Sequence, residues 1–194
     1  MNAERPYYLT VLTLALLLSP TAYAGKIVVA NDEWTLSDAG FSNAPDAAKF
    51  AENVGAWFSG GGAGRFHAYS VNFGLTGQML RNTMLNAGHE WQTGFGIDFS
   101  LPSLLAYDGI FVAWEPGNGI DTDILINYVE AGGNAYVAGG TSYADQEAAQ
   151  WNPLLNHFGL AFGPDYNTGT GNLAISSGHP VFEGVSSLYQ GNGL

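Results

Sequence analysis

Residues 108–141 constrain the fold more than any other stretch. They read Asp-Gly-Ile-Phe-Val-Ala-Trp, then a helical pattern ending Tyr128-Val-Glu-Ala-Gly-Gly, then Asn134-Ala-Tyr-Val-Ala-Gly-Gly-Thr. The continuous apolar run at 109–114 has the length and character of a strand covered on both faces. Ile124, Leu125, Tyr128 and Val129 recur at helical spacing, and Asp121 stands where an N-cap belongs. Residues 134–138 form a second buried strand. Strand, helix, strand predicts a parallel pair joined by a crossover. In an open α/β sheet the turn leaving such a strand is where a nucleophile or ligand group sits. Here that turn holds Gly139, Gly140 and Thr141, in a chain with no cysteine.

The flanking sequence extends the alternation. Residues 26–30 read as a first buried strand. Pro45 and Asp46 open a helix through about Phe58, and the glycine-rich stretch 59–64 breaks it. Residues 67–71 are read as a short strand or an irregular connection. Thr76 is the expected N-cap of a helix ending at Gly88, and residues 89–93 form a further strand. Residues 100–105 suit one helical turn. A helix over 146–158 carries Pro153, which kinks or restarts such an element. Residues 160–162 and 173–176 are further strand candidates in a tail rich in Gly, Asn and Ser. Strands alternating with helices predict an α/β fold, a three-layer α/β/α sandwich with a mainly parallel, flavodoxin-like sheet. The ending Gln190-Gly-Asn-Gly-Leu lacks a closing element, so the sheet is expected to be truncated at the C-terminus.

The amino-terminal residues stand apart from this pattern. Arg5, the apolar run 7–19 and the Ala-Tyr-Ala site at 22–24 match a secretory signal peptide. The run is shorter than the roughly 20 residues a membrane span needs. Cleavage after Ala24 predicts a secreted or periplasmic protein with a single domain, 25–194. Without cysteine there are no disulfides and no thiol chemistry. The formal charge is −12. Only Lys26, Lys49, Arg65 and Arg81 are basic after residue 24, too few for a phosphate-binding stripe, so nucleic acid and anionic membrane are poor partners. A small molecule, a carbohydrate or a protein is the expected partner, and no cofactor or metal centre is signalled. No zinc-ligand spacing occurs. Scattered calcium binding is the sharper reading of the acidity; solubility is the plainer one.

The strand-exit turns supply the candidate site. Asp32, Glu33 and Trp34 follow the first strand; Trp114 and Glu115 close the central strand; Thr141, Ser142 and Tyr143 follow the next. Two converging carboxylates serve as acid and base or hold a hard cation, and the aromatics stack on a sugar. Alternatively, Asp32 shapes a turn, Trp34 packs on the sheet end and Glu115 is solvated. Thr141 acts as a nucleophile only beside a base. The candidate base is His179, although the following Pro180 favours an extended bend and a structural role. His89 and His157 follow helix ends and are expected to cap or pack.

Three segments, Tyr107-Asp-Gly-Ile-Phe-Val, Asn127-Tyr-Val-Glu-Ala-Gly-Gly-Asn and Gly178-His-Pro-Val-Phe-Glu-Gly-Val, together resemble the class I glutamine amidotransferase-like superfamily. The chain is most similar to exported bacterial members of uncharacterised function. Asp32-Glu-Trp-Thr-Leu-Ser and Asn72-Phe-Gly-Leu-Thr-Gly resemble that group specifically. The resemblance implies a flavodoxin-like domain. It does not imply amidotransferase activity, because the family's cysteine position holds Gly139-Gly140-Thr141. Two functions follow as expectations. One is a non-catalytic exported domain with a binding or surface role. The other is a hydrolase of carbohydrate or amide using Glu33, Glu115 or Thr141, with His179 the remaining catalytic candidate.

Overall fold

A computed structural model of the protein describes residues 24–114, 120–140 and 143–194. Residues 1–23, all but the last residue of the expected signal peptide 1–24, lie outside these, as do 115–119 and 141–142. Five parallel strands form the main sheet: β1 (Ile27–Ala30), β2 (Arg65–Ala68), β3 (Glu90–Thr93), β4 (Gly109–Ala113) and β5 (Ala135–Ala138). Their spatial order is β1-β5-β4-β2-β3. Every residue of β4 and β5 is buried, as their unbroken apolar runs predict.

Side chains alternate across this sheet into two cores. Phe111, Ala113, Tyr136 and Ala138 face α1 (Asp38–Asn43), α2 (Asp46–Ser59), α3 (Phe73–Thr76) and α4 (Gln78–Asn86). Ile110, Val112, Ala135 and Val137 face α5 (Leu101–Leu104), α6 (Thr122–Glu130) and α7 (Ala144–His157). The chain crosses the sheet one way through β1, β2 and β3, then returns through β4 and β5. Crossovers of one hand place connections of opposite direction on opposite faces. The result is the three-layer α/β/α sandwich expected from the sequence.

Local differences have local causes. Thr76 does not cap the helix that follows it. Asn72 starts an earlier turn by accepting the Gly74 N–H at 2.8 Å, so Thr76 closes α3. The first N–H groups of α4, from Gln78 and Met79, are instead accepted by Asp38 at 3.3 and 2.8 Å. Residues 160–162 make no strand, because the Asn152 side chain bonds both the N–H and the carbonyl of Phe162. Helix α7 starts two residues early and retains Pro153. A small second sheet pairs β6 (Gly171–Ala174) antiparallel with β7 (Ser187–Gln190), and only β6 has a sequence signal. Gly60 ends α2 in the left-handed conformation, with φ 70°. His89 packs as expected, its Nδ1 accepting the Gly64 N–H. His157 pairs with Glu130 at 2.8 Å.

Candidate functional site

Neighbouring strands β1 and β5 send their following segments to opposite faces. Such a switch point opens a crevice at the strands' C-terminal ends. Three carboxyl groups meet there: Asp32 and Glu33 leaving β1, and Glu147 from the first turn of α7.

Asp32 is fully committed to the fold. One oxygen accepts the Trp34 N–H at 2.7 Å and begins a 3-10 turn at Glu33–Leu36. The other accepts the N–H groups of Gly191 and Asn192 at 2.8 and 2.6 Å. Burial raises its pKa, and these three donors oppose the shift. The turn-shaping role foreseen for Asp32 is the one it has. The segment it holds lies across the crevice: Leu194 donates its N–H to the Asn31 carbonyl at 2.7 Å, and Asn31 donates its side-chain amide to the Leu194 carbonyl at 3.2 Å.

Glu33 is different. It is only 1% exposed, and Asn72 Nδ2 donates to its Oε2 at 2.7 Å. The bond between Asn72 Oδ1 and Gly74 fixes which way that amide points. Burial first, then the negative field of Glu147, pushes the Glu33 pKa up to about 8. The carboxyl is therefore mostly neutral at pH 7. Oε2 accepts from Asn72, Oε1 has no hydrogen-bond partner among the described residues, and the Trp114 backbone N–H opposes part of the shift. The phenol of Tyr136, fully buried nearby, likewise has no partner among the described residues. Burial raises its pKa, reinforced by the fields of Asp32 and Glu33.

Glu147 completes the group. It is 0% exposed, and one oxygen accepts the Gly140 N–H. Its place in the first turn of α7 puts it against the positive end of the helix dipole. Gly140 has φ 106°, and a Cβ there would lie 2.6 Å from the Asn31 carbonyl oxygen and 2.7 Å from that of Asn192. The second glycine is thus needed both for backbone conformation and for close approach. Lys26 lies over Trp57, Lys49 pairs with Glu52 and Arg65 pairs with Glu90. These three cations are occupied away from the crevice.

The aromatics border it. Trp34 is half-buried, edge-on to Phe73 at 4.8 Å, with Gly191 against its indole. Buried Trp114 meets exposed Tyr143 at 5.9 Å. Tyr143 precedes α7 with φ 86°, a conformation uncommon for a side-chain-bearing residue. Glu115, Thr141 and Ser142 lie outside the described residues. His179 is not brought to the crevice. It begins the 3-10 turn Pro180–Phe182, accepts the Val181 N–H at 3.3 Å and packs edge-on to Trp57 at 5.0 Å. Trp57 ends α2 beside Lys26, at the opposite end of β1. That placement supports the structural role for His179 over the catalytic one. Among the described residues, no group of three or more His, Asp or Glu side chains is arranged to hold a metal ion.

Comparison of the chain with protein-family models, with curated proteins and with solved structures returns no match.

Glu147, Asn72 and Tyr136 escaped the sequence reading. Glu147 did leave a signal. It occupies the inward register of α7 with Ala144, Ala148, Trp151, Leu154 and Leu155, and an acid in a core register calls for a polar partner.

Proposed function

We propose that the protein is an exported domain of the class I glutamine amidotransferase-like kind that acts by binding a ligand or partner, without amide transfer. One observation carries this reading: the switch-point crevice is occupied by the chain itself. Asp32, the first carboxylate at its mouth, is saturated by three backbone N–H groups, two of them from the segment lying across it. Glu33 lies beneath it, buried to 1% exposure. The absence of cysteine removes the thiol on which amidotransfer depends.

A hydrolase is the second reading, and the Glu33–Glu147 pair favours it. Two buried carboxyl groups held side by side, one of them with its pKa pushed up by burial, are the kind of pair that glycosidases use as acid and base. The two readings differ in one assay. Purified protein is incubated with glutamine, scoring ammonia, and with a panel of nitrophenyl glycosides, scoring phenolate. The binding reading expects no turnover above that of Glu33→Gln. Turnover that this variant abolishes establishes the hydrolase.

A further inference from the structure

Strand β1 lies at the rim of the sheet, paired on one side only. The carbonyls of Lys26 and Ala30 accept from Ala135 and Gly139 of the β5 segment, at 2.9 and 3.0 Å. Alternation along the strand therefore turns the N–H and C=O groups of Ile27 and Val29 outward. Among the described residues, neither has a backbone partner on that side. The next outward carbonyl, that of Asn31, already accepts the Leu194 N–H at 2.7 Å. One rung of a further ladder is thus in place, and the rungs beside it are empty.

Along this edge runs a cavity of about 170 Å³, walled by Val28, Phe50, Leu173, Ile175, Phe182 and Leu188. Small-molecule sites usually measure roughly 300–1,000 Å³. This one is the size of one or two apolar side chains. A row of backbone donors and acceptors beside an apolar side-chain pocket is the arrangement that recognises an extended peptide. Ile27–Ala30 holds no proline and no charged residue, and Leu173, Ile175 and Leu188 of the second-sheet region wall the cavity beside it without pairing with it.

We propose that the outer edge of β1 accepts an extended segment of a partner polypeptide. The segment pairs with Ile27 and Val29 and sends alternate apolar side chains into the cavity. The occupant is a basic segment, apolar at every second position and flanked by Lys or Arg. Charge selects it: the chain carries a formal −12, so a second copy meets like-charge repulsion and a basic segment meets attraction. This rests on the binding reading of the protein.

The probe is a capped peptide of sequence Lys-Val-Thr-Val-Thr-Val-Lys, titrated into the whole protein and followed by amide hydrogen exchange and calorimetry. Binding is expected to slow exchange at Ile27 and Val29, and the same peptide with Glu at both ends should bind at least tenfold more weakly. Val29→Pro removes an outward N–H and spares the bonds to β5, which come from alternate residues. It should weaken binding tenfold or more. Ile175→Lys places a charge in the cavity wall and should do the same, which keeps the test open if the proline variant does not fold. Equal binding by wild type and both variants, no binding by the wild type, or wild-type dimerisation that protects the same amides overturns the proposal. Peptide binding in this assay and turnover in the Glu33 assay are scored separately, so a failure of either reading is recognisable by itself.

Discussion

Raising the pH from about 5 to about 9 is expected to destabilise the protein, and Glu33→Gln should remove most of that loss. Glu33 has a folded pKa of about 8 against an ordinary value of 4.5. Between those values the folded state binds the proton and the unfolded state has released it, so stability falls as pH rises. The stabilisation is complete below the ordinary value and gone above the folded one. At 1.36 kcal/mol per unit, the window is worth on the order of 5 kcal/mol. Gln preserves the shape of the neutral acid but has no proton to lose. Asp32, whose pKa is also raised, leaves a residual slope of the same sign. His67 acts oppositely. Its Nε2 donates to the Gly94 carbonyl at 2.7 Å, and burial lowers its pKa below 6.5. Below 6.5 this contribution opposes that of Glu33, so the gain in stability on acidification flattens there. Urea unfolding of both proteins across this range is the measurement. Parallel pH profiles would remove Glu33 as the buried acid.

The second large effect is expected from Asp32→Ala. Three backbone N–H groups lose their acceptor, and a hydrogen bond to a charged group contributes roughly 1.5–3 kcal/mol. Relief of the buried charge offsets part of this, leaving a net loss of roughly 3 kcal/mol. Asp32→Asn keeps one carbonyl acceptor and should lose less. The effect is directional as well as large. Gly191 and Asn192 should exchange their amide protons faster, and the fluorescence of Trp34, against which Gly191 packs, should change. Unaltered exchange at those two amides would mean that the segment is held by its other contacts, chiefly Leu194 on Asn31 and the Asn167 N–H on the Gly193 carbonyl.

The sheet was legible where sequence and burial speak the same language. Residues 109–114 and 134–138 are apolar on both faces because both faces are covered, and α6 shows its cap and its stripe openly. Legibility failed where a remote side chain replaced a local signal. Asp38 caps α4 across forty residues of sequence, and Asn152 occupies the backbone of Phe162. At the crevice, the sequence placed Asp32 and Glu33 at a strand end but could not separate their roles. The separation comes from tertiary partners: the N–H groups of Gly191 and Asn192 for one, Asn72 and Glu147 for the other. His179 stayed a candidate base, behind a structural role, because sequence gives no sense of which end of the sheet a loop visits.

The pairing of β1 with β5 also sets a clock. Lys26 bonds the side chain of Asn134, 108 positions away, and Ile27 lies opposite Ala135. Of the five strands of this sheet, the one earliest in the sequence therefore has no sheet partner until the last of them is available. Closing so long a loop before any contact rewards it slows folding. Until then the segment beginning at Lys26 remains an unsatisfied apolar strand, and the time spent in that condition, more than the final stability, should govern how much chain is lost to aggregation.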